Sequence, residues 1–420
     1  MPVPSAWAMR SWRRAPIALG SGGSTRSRPW TYGRRSQCYG RPSKKGLKPI
    51  HDRFEVNLMK FETEAIPNTM PFGHAANAVA LPGGEIFVTW YNGSYEGGED
   101  QRIAGAVRTA NGHWQPTHVV VNRFEYEGDT WIPEIGVPLP APHGGLRLLF
   151  WACPLSTFRL AKNPGSVQLG GGWGGGSWFP IPTITYEGLT WTRTIPDSRV
   201  FVSELGPDFV AGRPELFTHE RGLVVMGAAR RLQSGRWAVP YHTERKDCWF
   251  HSRMFVSDPE QKQWETRGDI FAPPGCLEPV IVQLPSREVL CFMRRGGFDG
   301  HIFRAMSEDE CRTFSEPVQT NLRNPYAGVD LGWSETTECL LVVYNDSYRM
   351  RTPLTVGIST DRGKTFRMRD VESTPGFFAY PKLLQDRLGL WHLFYTHNHS
   401  HIQHATFDEA WLKDGRQALG

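Results

Sequence analysis

From Phe54 onward, apolar residues come in short runs that end at Gly, Pro, Asp or Asn. Nowhere do they settle into the 3.6-residue rhythm of a long amphipathic helix. Such runs predict strands joined by tight turns. Four pairs read as hairpins. They are Ala76–Ala80 with Ile86–Trp90, Glu215–Thr218 with Leu223–Met226, Val280–Gln283 with Val289–Met293, and Pro381–Leu384 with Leu390–Tyr395.

A second kind of turn recurs. Ser359, Asp361, Gly363, Thr365 and Phe366 form a Ser-x-Asp-x-Gly-x-Thr-aromatic motif, and Ser307, Asp309, Thr313 and Phe314 repeat it with Cys311 in place of the Gly. Weaker echoes are Asn111-Gly112-His113-Trp114, Tyr186 to Trp191, and Ser257-Asp258-Pro259 leading to Trp264. In such a turn an Asp carboxylate accepts backbone N–H bonds, Gly supplies a positive φ, and the aromatic packs beneath. The closing aromatics at 114, 191, 264, 314 and 366 are spaced by 77, 73, 50 and 52 residues. A period near 50 with four short strands per unit is the mark of a β-propeller. The expectation is an all-β, six-bladed propeller over residues 51–420, closed where Phe54–Phe61 and Ile402–Phe407 complete one blade.

Charge changes the picture at one end. The net charge is +5, but residues 1–50 hold eleven Lys and Arg and no acid, which leaves −6 for residues 51–420. The first fifty residues read as a disordered basic extension. Arg13-Arg14 before Ala15–Leu19 bears a faint likeness to a twin-arginine signal, and an Arg/Ser-rich start also suits a transit peptide; neither decides a compartment. An acidic body argues against nucleic-acid binding. No run approaches the eighteen apolar residues of a membrane span. Seven Cys without Cys-x-x-Cys argue against a disulfide framework or a Cys-based zinc site.

In a blade, the start of the first strand, the end of the second and the start of the third share one rim. That rim should carry His74, Asp100, Glu278, Arg294, Arg351 and Tyr380, with Arg102 beside Asp100. Over roughly residues 68–412 the chain resembles the sialidase superfamily with Asp-box (BNR) repeats. Asp100 matches its acid, Glu278 and Arg294 its sixteen-residue Glu–Arg pair, and Arg351 with Tyr380 its late Arg–Tyr pair. His74, ten residues before Gly84, stands where that family has the first arginine of its carboxylate-gripping triad.

The chemistry supports an acidic-sugar substrate. Arg294 and Arg351 can bind a carboxylate through planar forks. An anionic substrate would repel a carboxylate nucleophile, so Tyr380 is a sensible substitute, with Glu278 taking its proton and Asp100 protonating the leaving oxygen. The leading expectation is a sialidase-like exo-glycosidase acting on an acidic oligosaccharide or glycoconjugate as a monomer, without cofactor or metal. A rival is a uronate-specific polysaccharide lyase, in which His74 or Tyr380 removes a proton while the arginines hold the uronate. A third reading is a glycan-binding propeller without catalysis, favoured if Tyr380, Glu278 and Asp100 fail to converge. Trp173 and Trp178, in a glycine-rich stretch, would stack on sugar. His397, His399 and His401 alternate as strand residues on one face would, with His404 nearby, but sugar contacts or loop roles suit them better than a metal.

Overall fold

Six antiparallel sheets of four or five strands follow one another along the chain and close into a ring. The computed structural model describes residues 61–96, 98–155, 184–186, 189–191, 198–244, 250–296 and 300–419. The proposed tail at 1–50 therefore lies outside the described residues.

Blade 1 is Phe72–Ala80, Ile86–Gly93, Arg102–Arg108 and His118–Val121. Blade 2 is Asp129–Pro140, Leu146–Pro154, Arg199–Glu204 and Glu215–Leu216, with Phe124–Tyr126 paired to its first strand. Blade 3 is Leu223–Val225, Trp237–Glu244, Phe250–Ser257 and Trp264–Ile270, with Arg230–Arg231 also on its second strand. Blade 4 is Cys276–Gln283, Val289–Arg295, His301–Ser307 and Val318–Arg323. Blade 5 is Asp330–Ser334, Cys339–Asn345, Leu354–Ser359 and Thr365–Glu372, extended by the C-terminal Arg416–Leu419. Blade 6 is Phe378–Gln385, Trp391–His397 and His401–Phe407, completed by the N-terminal strand Phe61–Ala65.

Three expectations need correction. The closing strand is Phe61–Ala65, with Phe61 opposite Phe407 and Ala65 opposite Gln403, so it lies further along the chain than Phe54–Phe61. Glu215–Thr218 and Leu223–Met226 are not a hairpin. Glu215–Leu216 ends the outer edge of blade 2, and Leu223–Val225 begins the inner edge of blade 3, so the turn between them is a crossing from blade to blade. The echo at Tyr186–Trp191 is a separate two-stranded hairpin, outside the blades.

The other Asp-turns all join the third and fourth strands of a blade. In blade 5, Asp361 accepts from the Thr365 amide at 2.8 Å, the Thr365 hydroxyl at 2.6 Å and the Ser359 hydroxyl at 2.8 Å. Asp309 repeats this in blade 4, where Cys311 takes the left-handed φ of +68° that Gly363 takes at +79°. The buried Cys311 thiol packs into the core, which offsets the backbone strain. Cys153, Cys276, Cys291, Cys311 and Cys339 are free and buried.

The core is distributed as wedges between neighbouring blades. Phe394 and Ile402 of blade 6 meet Ala76, Val88 and Trp90 of blade 1; Phe87 and Ile103 of blade 1 meet Phe150 and Phe201 of blade 2. Each such side chain stabilises the ring by roughly 1.5–3 kcal/mol. Among the described residues no helix is long and apolar enough to cross a membrane.

One irregularity repeats and sets up the site. In blades 1, 2, 4 and 6 the innermost strand carries a bulge in which two residues oppose one. The bulged pairs are Ala75-Ala76, Glu134-Ile135, Glu278-Pro279 and Tyr380-Pro381. Ala75, Glu278 and Tyr380 adopt positive φ there, at 53°, 51° and 49°. A bulge re-aims a side chain away from the alternation of its strand. Glu134, Glu278 and Tyr380 are thereby turned into one cavity.

Candidate active site

The cavity is lined by Tyr91, Glu96 and Glu134 on blades 1 and 2, His242 and Glu244 on blade 3, and Glu278, Arg294 and Tyr380 on blades 4 and 6. It offers about 460 Å³ of space, counting the part open to solvent.

The Tyr380 hydroxyl donates to Glu278 Oε1 at 3.1 Å, and Arg294 Nη2 lies 2.8 Å from the same oxygen. Glu278 Oε2 is buried and has no partner among the described residues. Gly328 makes room for the pair: a Cβ there would stand 2.8 Å from the Tyr380 ring and 3.3 Å from Glu278 Oε2. Burial raises the Tyr380 pKa and Glu278 adds to this, while Arg294 and Arg351 pull it down. Arg294 stays charged because Glu278 outweighs the cost of its burial.

The two arginines converge. Arg294 Nη1 donates to the Tyr326 carbonyl at 3.0 Å and Arg351 Nη2 to the same oxygen at 3.2 Å. The Arg351 guanidinium lies over Tyr380, 5.4 Å from the ring centre, and over Phe377 at 4.8 Å. Arg295 turns outward, donating to the Pro273 carbonyl, so Arg294 is the inward arginine of that pair.

His74 is buried beside this group, its ring 4.7 Å from that of Tyr380 and edge-on to it. Its Nδ1 meets the Thr396 hydroxyl at 2.9 Å. Burial holds its pKa well below the usual imidazole value, with His399 and Arg351 adding to the shift. The ring that replaces a guanidinium is therefore neutral.

Asp100 departs from its expected role. It is exposed, and its carboxylate is engaged by the Ser94 hydroxyl at 2.6 Å and the Ser94 amide at 3.2 Å. It does not line the cavity, because the loop turns Glu96 inward in its place. Arg102 likewise lies away from the cavity lining, its Nε donating to Asn92 at 3.4 Å. Trp173 and Trp178 lie outside the described residues.

Three carboxyls that the strand pattern did not single out, Glu96, Glu134 and Glu244, complete the lining. Glu96 accepts from the Tyr91 hydroxyl at 3.1 Å. Glu134 is 3% exposed, and its Oε1 has no hydrogen-bond partner among the described residues. Burial pushes its pKa well above the usual carboxylate value; the Gln101 amide opposes this and Glu96 adds to it. Glu134 shares a bulge position with Glu278 and Tyr380, which becomes visible only once the strand registers are known.

The four late histidines do not share a face. His399 turns toward His74, with ring centres 4.6 Å apart; His397 stacks on His401, and His404 pairs with Glu64 at 2.9 Å. The hairpin turn, with positive φ at Asn398 and His399, breaks the alternation.

With this geometry in place, comparison with known proteins gives a consistent answer. A family profile described as "BNR repeat-like domain" matches residues 203–393. Curated proteins give no match. Among solved structures, the intramolecular trans-sialidase of Ruminococcus gnavus, in complex with oseltamivir carboxylate, is 14% identical with a TM-score of 0.61, over 82% of this chain and 96% of that one. The NanB sialidase of Streptococcus pneumoniae is 12% identical, TM-score 0.60, over 81% and 68%. A protein of unknown function from Dyadobacter fermentans is 13% identical, TM-score 0.60, over 83% and 98%. The molecule is a six-bladed, BNR-repeat β-propeller with a sialidase-like fold. The likeness is one of fold, and the BNR repeat-like match spans the middle and later blades.

Proposed function

We propose that the cavity is the active site of a sialidase-like exo-glycosidase acting on a terminal acidic sugar. The observation that carries the reading is the buried Tyr380–Glu278–Arg294 chain of contacts, at 3.1 and 2.8 Å, beside a second guanidinium from Arg351. Similar folds that bear sialidase and trans-sialidase names, one of them holding oseltamivir carboxylate, support the substrate class.

In the first step Tyr380 attacks the anomeric carbon and passes its phenolic proton to Glu278, whose Oε2 has a free lone pair. The new bond joins the phenolic oxygen to the sugar as the glycosidic C–O bond breaks. Glu134, whose environment favours the protonated form, gives its proton to the departing oxygen. In the second step Glu134 takes a proton from water, the hydroxide displaces Tyr380, and Glu278 returns the phenolic proton. Arg294 and Arg351 hold the substrate carboxylate throughout. Glu134 thus replaces Asp100 as the acid, since Asp100 is turned onto Ser94.

Tyr380→Phe should lower kcat/KM on a fluorogenic sialoside by at least about a thousandfold without changing the thermal midpoint by more than a few degrees. An active Phe variant would sink the reading. Elimination is the second reading, favoured by the neutral His74 ring 4.7 Å from Tyr380. It predicts near-ultraviolet absorbance from an unsaturated uronate product, which hydrolysis does not give.

A further inference from the structure

His74, Glu96 and His399 each point one ligand atom at a common space, and these atoms lie within 4.8 Å of one another. We propose that this trio, from blades 1 and 6, binds a divalent transition-metal cation of the zinc class, whose open coordination position grips the substrate carboxylate in place of the missing first arginine. The second clause rests on the sialidase-like reading; the first does not.

Three observations support the site. Two imidazoles and one carboxylate form the donor set of a zinc site that keeps a position for substrate. The His74 Nδ1 contact with the Thr396 hydroxyl orients the ring and leaves the other nitrogen for a metal, which is how ligating histidines are held. Thr396 is itself fixed by accepting from the Ala75 amide at 3.0 Å. Finally, His399 Nε2 is buried without a hydrogen-bond partner, although the ring is wedged between Phe377, with ring centres 3.7 Å apart, and Phe72 at 5.6 Å.

The Glu96 carboxylate already accepts from the Tyr91 hydroxyl. A tetrahedral zinc holds its ligand atoms about 3.4 Å apart, so the trio closes by about an ångström on binding. His399 sits on a hairpin turn at φ +56°, where such an adjustment is local.

The geometry also explains why a neutral ring can stand where a guanidinium is expected. A cation held by Glu96 and two neutral imidazoles carries net positive charge beside Arg351. Carboxylate binding would then be shared by a metal and two guanidiniums.

The test strips the full chain with a chelator, reloads it with Zn2+ alone, desalts it and measures bound metal by mass spectrometry. The expected result is about one zinc per chain, with affinity falling at least about a hundredfold in His399→Asn and Glu96→Gln. His399→Asn is chosen because Asn tolerates the left-handed backbone; if His74→Ala fails to fold, this variant carries the test. Cobalt in place of zinc should give visible absorption bands that both variants lose. Wild type retaining no more zinc than folded His399→Asn would overturn the site. In a second arm, stripping zinc should weaken free sialic acid binding to the wild type about tenfold or more, and leave His399→Asn unchanged. Unchanged binding after stripping overturns the carboxylate-gripping role. Stoichiometric zinc in a protein that cleaves no sialoside upholds the site and overturns only the hydrolase reading.

Discussion

The two sides of the cavity are built on opposite principles. On blades 4 to 6, Glu278, Arg294, Tyr380 and Arg351 form a closed set in which each charge meets another or a carbonyl within about 3 Å. On blades 1 and 2, Glu96, Glu134 and His74 are buried with no cationic side chain of their own blades lining the cavity. Burial shifts pKa values on both sides, but Arg294 keeps its charge through Glu278 on the closed side, whereas Glu134 and His74 are pushed toward their neutral forms on the open one. On the proposed mechanism, the covalent bond forms on the closed side and the leaving-group proton comes from the open one.

After Tyr380→Phe, the largest effect should come from the open side. Glu134→Gln keeps shape but removes the proton donor, and should lower kcat/KM about a hundred- to ten-thousandfold on substrates with poor leaving groups, and far less on aryl glycosides. Asp100→Ala should leave activity within about threefold; the reverse ranking would overturn the contrast. Stability should respond in the opposite sense. The folded chain keeps a proton on Glu134 that the unfolded chain releases above its ordinary pKa of 4.5, so folding weakens as pH rises from there toward the raised folded value. Glu134→Gln removes this penalty, and its gain over wild type in urea unfolding should grow with pH across that window.

On the closed side, removing one partner leaves a buried charge alone. Arg294→Met should destabilise the ring by about 3–5 kcal/mol, and Glu278→Leu added to it should recover most of that loss. A double variant no better than the single would show that the pair is not the unit described here. The smallest effect belongs to the rim far from the cavity. Asp361→Ala should cost about 1–2 kcal/mol through its lost turn bonds. Burial acts to raise the Asp361 pKa, but bonds from Thr365 and Ser359 outweigh it and bring it to about 2. Its contribution is therefore full above pH 3.8 and fades as pH falls toward 2, so wild type and variant should converge there.

The ring is legible in the sequence because Asp-turns are local: Ser359, Asp361, Gly363 and Thr365 interact within seven residues of chain. Glu278, Arg294, Arg351 and Tyr380 are legible because their spacing resembles a known pattern. Glu134 and Glu96 are not. A bulge sets the direction of one and a loop the other, and neither leaves a trace in the alternation of apolar and polar positions. The same limit explains Asp100, which shares a loop with Glu96 and faces the other way. It also explains Glu215–Met226, where two apolar runs around Gly222 imitate a hairpin while serving different blades.

The joint at blade 6 carries a consequence for biosynthesis. Glu64, in the first described strand, meets His404, 340 residues later. This first described strand must wait for nearly the whole chain before it has its partner, although the entropy of so long a loop grows only with the logarithm of its length. Arg416–Leu419 then returns to the edge of blade 5, beside Thr365–Met368. A nascent chain can finish five blades and still be an open arc, with the cavity unfinished between Tyr380 and His74. Closure of the cavity thus waits for the last strands to emerge.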